Sequence, residues 1–183
     1  MVSLVFVFYL FVGVFAIIGA MRGWAKELLV SFSVILALAF LNLLENYVLL
    51  KSGTQFSMES QDTSLFWLRV SILFILVFFG YQTVNFPKLS AKAARERLQD
   101  FLLGLIIGAL NGYLIAGSVW FYLEEANYPF NAILDPNACP SATAAYAETM
   151  TKLLEYMPPN LLGVPAIYFA VIIAFIFVIV VYI

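Results

Sequence analysis

The chain has 183 residues, of which 64% are hydrophobic and 11% charged, with nine basic and eleven acidic side chains and no histidine. Soluble domains carry about 25% charged residues, so too few are present here to wet a globular surface. A net charge of −2 sets nucleic-acid binding aside, and the absence of histidine removes the commonest metal ligand and the usual base near neutral pH.

Residues 1–21 carry no charge, and residues 28–44 form a second uncharged run. A helix needs roughly 20 residues at about 1.5 Å each to cross about 30 Å of hydrocarbon. The second run is short for this and borrows Lys26, Glu27 or Glu45 at its ends. Those side chains are expected to snorkel toward the headgroups. Only residues 22–27 separate the two runs. Either both cross, or one re-enters and breaks inside the protein, where non-helical backbone is tolerated if buried or facing water. Gly13, Gly19 and Gly23 offer a loose small-residue surface. Gly23 also suits a sharp turn, because glycine accepts left-handed backbone angles. The first run lacks a basic start and leads into another long apolar run, so a cleaved signal peptide is not expected.

Residues 65–86 form a third run with one charge, Arg69, near its start, and Pro87 gives it an end. Arg69 is placed to reach headgroups or to pair with Glu45 or Asp62. Residues 88–100 mix basic and small side chains and read as a short interfacial helix with a weak attraction to anionic lipid.

Residues 101–123 are uncharged. Within them Gly104, Gly108, Gly112 and Ala116 recur every four residues, which stacks small side chains in one stripe. In lipid, helices associate through close backbone approach rather than hydrophobic drive, so this stripe is expected to meet another helix. Asn111 lies beside it at mid-span. Its amide needs partners because burying it alone is costly, so it either joins helices or lines a polar site.

Residues 124–160 begin as irregular loop, with Tyr128-Pro129 and Asp135-Pro136. They contain the only cysteine, Cys139, which rules out an intrachain disulfide. Pro140 is placed to open a helix through Glu155. Tyr146, Met150, Leu153, Leu154 and Met157 fall near helical spacing, so this helix either lies on the outer membrane surface or packs over the helix ends. Pro158-Pro159 stops it, and residues 161–183 form a last uncharged run.

The expected fold is an all-α, polytopic transmembrane helix bundle with five spans. No run shows the alternating polarity of a membrane barrel. Residues 22–27 carry a net +1 and residues 87–100 a net +2, whereas residues 45–64 carry −2 and residues 124–160 carry −4. Basic loops stay cytoplasmic, which places the N-terminus outside and the C-terminus inside.

No catalytic constellation stands out. Without histidine, serine and cysteine triads lack their base, and no phosphate-cradling or metalloprotease motif is present. Glu124-Glu125 reads as boundary charge. Arg22, Glu27 and Arg69 are the charges placed to touch the bundle, as structural anchors or as part of a solute pathway.

The stretch Gly19-Ala20-Met21-Arg22-Gly23-Trp24-Ala25-Lys26-Glu27-Leu28 resembles the start of the colicin V production protein family. Gly104-Leu105-Ile106-Ile107-Gly108-Ala109-Leu110-Asn111-Gly112 is similar to that family's second glycine-rich segment, with Arg95 and Arg97 before it. The resemblance covers residues 1–123. It implies a four-span region of a bacterial inner-membrane protein linked to toxin production or export, with Arg22, Gly23, Trp24 and Glu27 as motif residues. Residues 124–160 are expected to form an external loop with an amphipathic helix, and 161–183, an added C-terminal transmembrane helix, departs from that pattern. The expected function is non-enzymatic, with no cofactor or metal: an accessory or assembly subunit whose partners are lipids and other membrane subunits, a respiratory or photosynthetic complex among the candidates. A small-solute or ion channel acting as an oligomer is the rival expectation.

Overall fold

A computed structural model describes residues 4–46, 58–82, 97–129 and 144–182. The described residues are helical almost throughout: α1 (Leu4–Arg22), α2 (Trp24–Leu44), α3 (Met58–Tyr81), α4 (Arg97–Glu125), α5 (Ala144–Glu155), α6 (Pro158–Leu161) and α7 (Ala166–Tyr182). Four of them are long and apolar enough to cross a bilayer. This is an all-α fold consistent with a polytopic membrane bundle. α7 is apolar too but shorter, at 17 residues.

Several boundaries move from the sequence expectation. α2 begins at Trp24 rather than at residue 28 and runs 21 residues, about 31 Å. It therefore absorbs Lys26 and Glu27 into the helix. α3 begins at Met58, ahead of residue 65. α4 begins at Arg97, so the end of the expected interfacial segment is its first turn. The last helix begins at Ala166 rather than at residue 161, because Pro158–Leu161 closes on itself as a separate turn and Pro165 interrupts the ladder. Pro87, the basic residues from Lys88 to Arg95, Cys139 and Pro140 lie outside the described residues.

Gly23 separates α1 from α2 at φ +87°. That left-handed angle suits glycine and strains other residues. The reversal lets α1 lie along α4, while α2 packs against α3, α4 and α7. The main core lies between α2, α3 and α4, where Val30, Val34, Leu41, Leu73, Leu114 and Ile115 are buried. Outward faces are apolar: Phe78 and Phe79 on α3, and Phe169, Ile173 and Phe177 on α7, are all exposed. Such surface suits hydrocarbon and is foreign to water.

Candidate functional site

α1 and α4 meet along a glycine seam. A β-carbon on Gly104 would collide with the Gly19 carbonyl, and one on Gly108 with the Phe15 carbonyl. One on Gly112 would lie 2.9 Å from the Val12 Cα. Such distances bring backbone onto backbone, which side chains cannot relieve by rotation. Ala116 continues the row beside the cluster of Phe8, Trp120, Met150, Leu154 and Met157.

The seam carries a polar cluster at one end. Glu27, on the first turn of α2, is fully buried, as is Asn111 on α4. The Arg22 Nη1 donates to Glu27 Oε1 at 2.7 Å, and Nη2 donates to the Tyr81 carbonyl at 3.1 Å. Asn111 Nδ2 donates to Glu27 Oε2 at 2.8 Å and to the Glu27 carbonyl at 3.0 Å. Ser31 Oγ lies 2.6 Å from Asn111 Oδ1 as donor. The guanidinium also sits 4.4 Å from the centre of the Tyr81 ring, within cation–π range. Both Glu27 oxygens and both ends of the Asn111 amide are thus engaged. α1 and α4 reach the α2 carboxylate directly, and Arg22 ties in the α3 backbone. Of the two readings of Glu27, snorkelling to the headgroups and contact with the bundle, the second is observed: the side chain is directed inward beside Arg22 and Asn111 and finds its partners in the protein. The Tyr81 hydroxyl, next to this cluster, is buried and has no hydrogen-bond partner among the described residues.

The adjoining turn is held from α4. Asp100 Oδ1 accepts from the Trp24 backbone N–H at 3.1 Å. A β-carbon on Gly23 would lie 2.8 Å from both Asp100 carboxylate oxygens. A carboxylate at the first turn of one helix therefore caps the start of another, where the helix dipole favours negative charge. Lys26 is exposed.

The opposite end of the bundle carries a second cluster. Arg69 Nε donates to Glu45 Oε1 at 2.6 Å, and Nη1 donates to Glu125 Oε2. Its guanidinium lies 5.1 Å from the Tyr122 ring centre. Of the two carboxylate partners considered for Arg69, Glu45 is observed. Glu125, on α4, joins as a second partner, and the Asp62 side chain lies outside the described residues. Glu124, its neighbour, is half-buried.

The structure thus brings Arg22, Glu27 and Asn111 into one cluster and places Gly104, Gly108 and Gly112 on α1, while Trp24 contributes its backbone N–H. Ser31, Tyr81 and Asp100 join the site without having been singled out by sequence. Among the described residues, no group of three or more His, Cys, Asp or Glu side chains is gathered as a metal-binding set. No family model, curated protein or solved structure matches the chain. The cluster has the chemistry of a buried, hydrogen-bonded ion pair that ties helices together.

Proposed function

We propose that this chain is a non-enzymatic, multi-pass membrane subunit that works through helix contacts within a larger membrane assembly. The resemblance of residues 1–123 to the colicin V production family favours a bacterial inner-membrane setting and an accessory or assembly role. We propose five crossings, with α7 as the fifth and the N-terminus outside. The charge bias of the connections supports that orientation, and the 17 residues of α7 span about 25 Å, enough for a crossing with slight local thinning.

One observation carries the reading. The fully buried charge, Glu27, has both oxygens occupied by groups of the bundle itself. Its chemistry is committed to holding α1, α2 and α4 in register, with Arg22 reaching the α3 backbone. Broad apolar faces on α3 and α7 remain for lipid or neighbouring helices. Gentle extraction into nanodiscs followed by native mass measurement tests this. The expected species is the chain with other membrane subunits at fixed stoichiometry. Recovery of the chain alone, with solute flux in reconstituted vesicles, would overturn it.

The channel or transporter reading draws on a different observation: a buried ionic pair flanked by a Tyr81 hydroxyl that has no partner among the described residues. Intramembrane charge often marks a pathway. Flux that disappears in Glu27→Gln, while that variant keeps its fold, would favour it.

A further inference from the structure

The strongest unassigned feature is the elbow between α5 and α6. It does not rest on the ends of the bundle. A β-carbon on Gly117 would lie 2.7 Å from Pro158 Cδ and 3.0 Å from Met157 Sδ, so the elbow lies directly on the α4 backbone. Gly117 precedes Glu125 on α4 by about 12 Å of helix and follows Asn111 by about 9 Å. Glu125 belongs to the charged cluster that closes one end of the bundle, and Asn111 to the one near the other. The elbow therefore reaches a level between the two, well inside the apolar length of α4.

Broken helix at that depth requires its backbone groups to be satisfied by protein, and much of the elbow is. Tyr113, from α4, donates its hydroxyl to the Tyr156 carbonyl. Asn160 Nδ2 donates to the Leu154 carbonyl at 3.2 Å. The Tyr156, Met157, Asn160, Leu161 and Leu162 N–H groups all donate within the elbow. Pro158 and Pro159 have no N–H to satisfy. One face is apolar, with Met150, Leu154 and Met157 buried against Phe8 and Trp120.

The other face is charged. Glu148, Lys152 and Glu155 are exposed. Lys152 pairs with Glu148 at 2.7 Å, which leaves Glu155 without a cation among the described residues. Glu155 lies three residues before Pro158 across a turn and the extended Met157, at most about 10 Å of chain, so it stands close to the elbow. A glutamate is too short to snorkel far, and hydrocarbon does not accept its charge.

We infer that α5 and α6 form a re-entrant hairpin beside α1 and α4, and that water reaches its charged face from the side of Glu45, Arg69 and Glu125.

Two measurements on the full chain, reconstituted in bilayers after Cys139→Ser, test this. A nitroxide on Tyr156→Cys reports depth through collision with oxygen against a water-soluble nickel chelate. The expected depth is within the acyl region, and a headgroup-level reading would overturn the hairpin. A positively charged thiosulfonate added to one side reports water at Glu155→Cys. Labelling should be at least about tenfold faster than at Ile173→Cys on α7, because a charged reagent is excluded from hydrocarbon. A deep nitroxide with equal, slow labelling at both positions would overturn water access to the charged face. Gly117→Leu serves as a second variant. It should move the Tyr156→Cys nitroxide toward the surface while Ile173→Cys stays unchanged, and an unmoved nitroxide would argue against seating on Gly117.

Discussion

Both ends of the bundle use an arginine and carboxylates, yet in different surroundings. At one end the Arg22 side chain is 21% exposed and Glu27 is fully buried. At the other the Arg69 side chain is 15% exposed, but Glu45 and Glu125 are 32% and 45% exposed. Water can take over from Arg69 if it is lost. Glu27 is sealed from water, which is therefore not at hand when Arg22 or Asn111 is lost. Residue type is thus a poor guide to energy here, and depth decides.

The largest effect should come from Glu27→Ala, which leaves Arg22 and Asn111 without their shared partner. Breaking a buried pair costs about 3–5 kcal/mol, to be read as a lowered midpoint in unfolding from bicelles. Replacing both charges with apolar residues, Arg22→Met with Glu27→Leu, should recover part of that loss, since the desolvation cost goes with them. Equal losses for Glu27→Ala and Arg69→Ala would break the contrast between the two ends.

Next in size is the seam. Gly108→Leu forces a side chain into the Phe15 carbonyl and the Gly19 backbone. Overpacking costs about 1–3 kcal/mol and more where backbone must shift. Gly13→Leu is the matched control, because a β-carbon there meets nothing within 4 Å. The difference between these two variants isolates helix approach from helix propensity. Similar unfolding midpoints would mean that the seam contributes little.

The same contrast explains what could be read from sequence. Apolar run length located the four long helices, and the four-residue recurrence of Gly104, Gly108 and Gly112 marked a face of α4 before any neighbour was known. The partner helix was not legible, since the loose set Gly13, Gly19 and Gly23 mixes one open position with one seam position and one turn. Glu27 was legible only as one of two alternatives, because it lies near the end of an apolar run, where a charge normally faces headgroups. The deciding signal was partly local: Ser31 follows Glu27 by one helical turn, and a mid-span Asn111 must find polar groups somewhere. The elbow on Gly117 left no trace, because Gly117 falls outside the repeat and Tyr113 reads as one aromatic among many. Long-range seating of this kind depends on which helices become neighbours, and local pattern does not encode that.

Arg69→Gln should cost about 1 kcal/mol, as partly exposed pairs do. Added salt should shrink the difference between the variant and the parent chain, because screening weakens the exposed pairing in the parent. The Glu27→Ala loss should persist in the same salt series. A salt-insensitive Arg69→Gln would place that cluster out of reach of water and move the bundle's polar boundary outward.

The smallest effect should be Lys152→Ala on α5. Its pair with Glu148 is about two-thirds exposed on both sides, at 69% and 67%, and exposed pairs one helical turn apart contribute about 0.3–0.5 kcal/mol. This value carries information out of proportion to its size. If water reaches the charged face of the hairpin, the freed Glu148 is simply hydrated and the loss stays small and salt-dependent. If that face is sealed against another apolar surface, removing Lys152 strands a carboxylate, and the loss rises toward that of Glu27→Ala. A single unfolding series at two salt concentrations therefore tells whether α5 resembles the wet end of the bundle or the dry one.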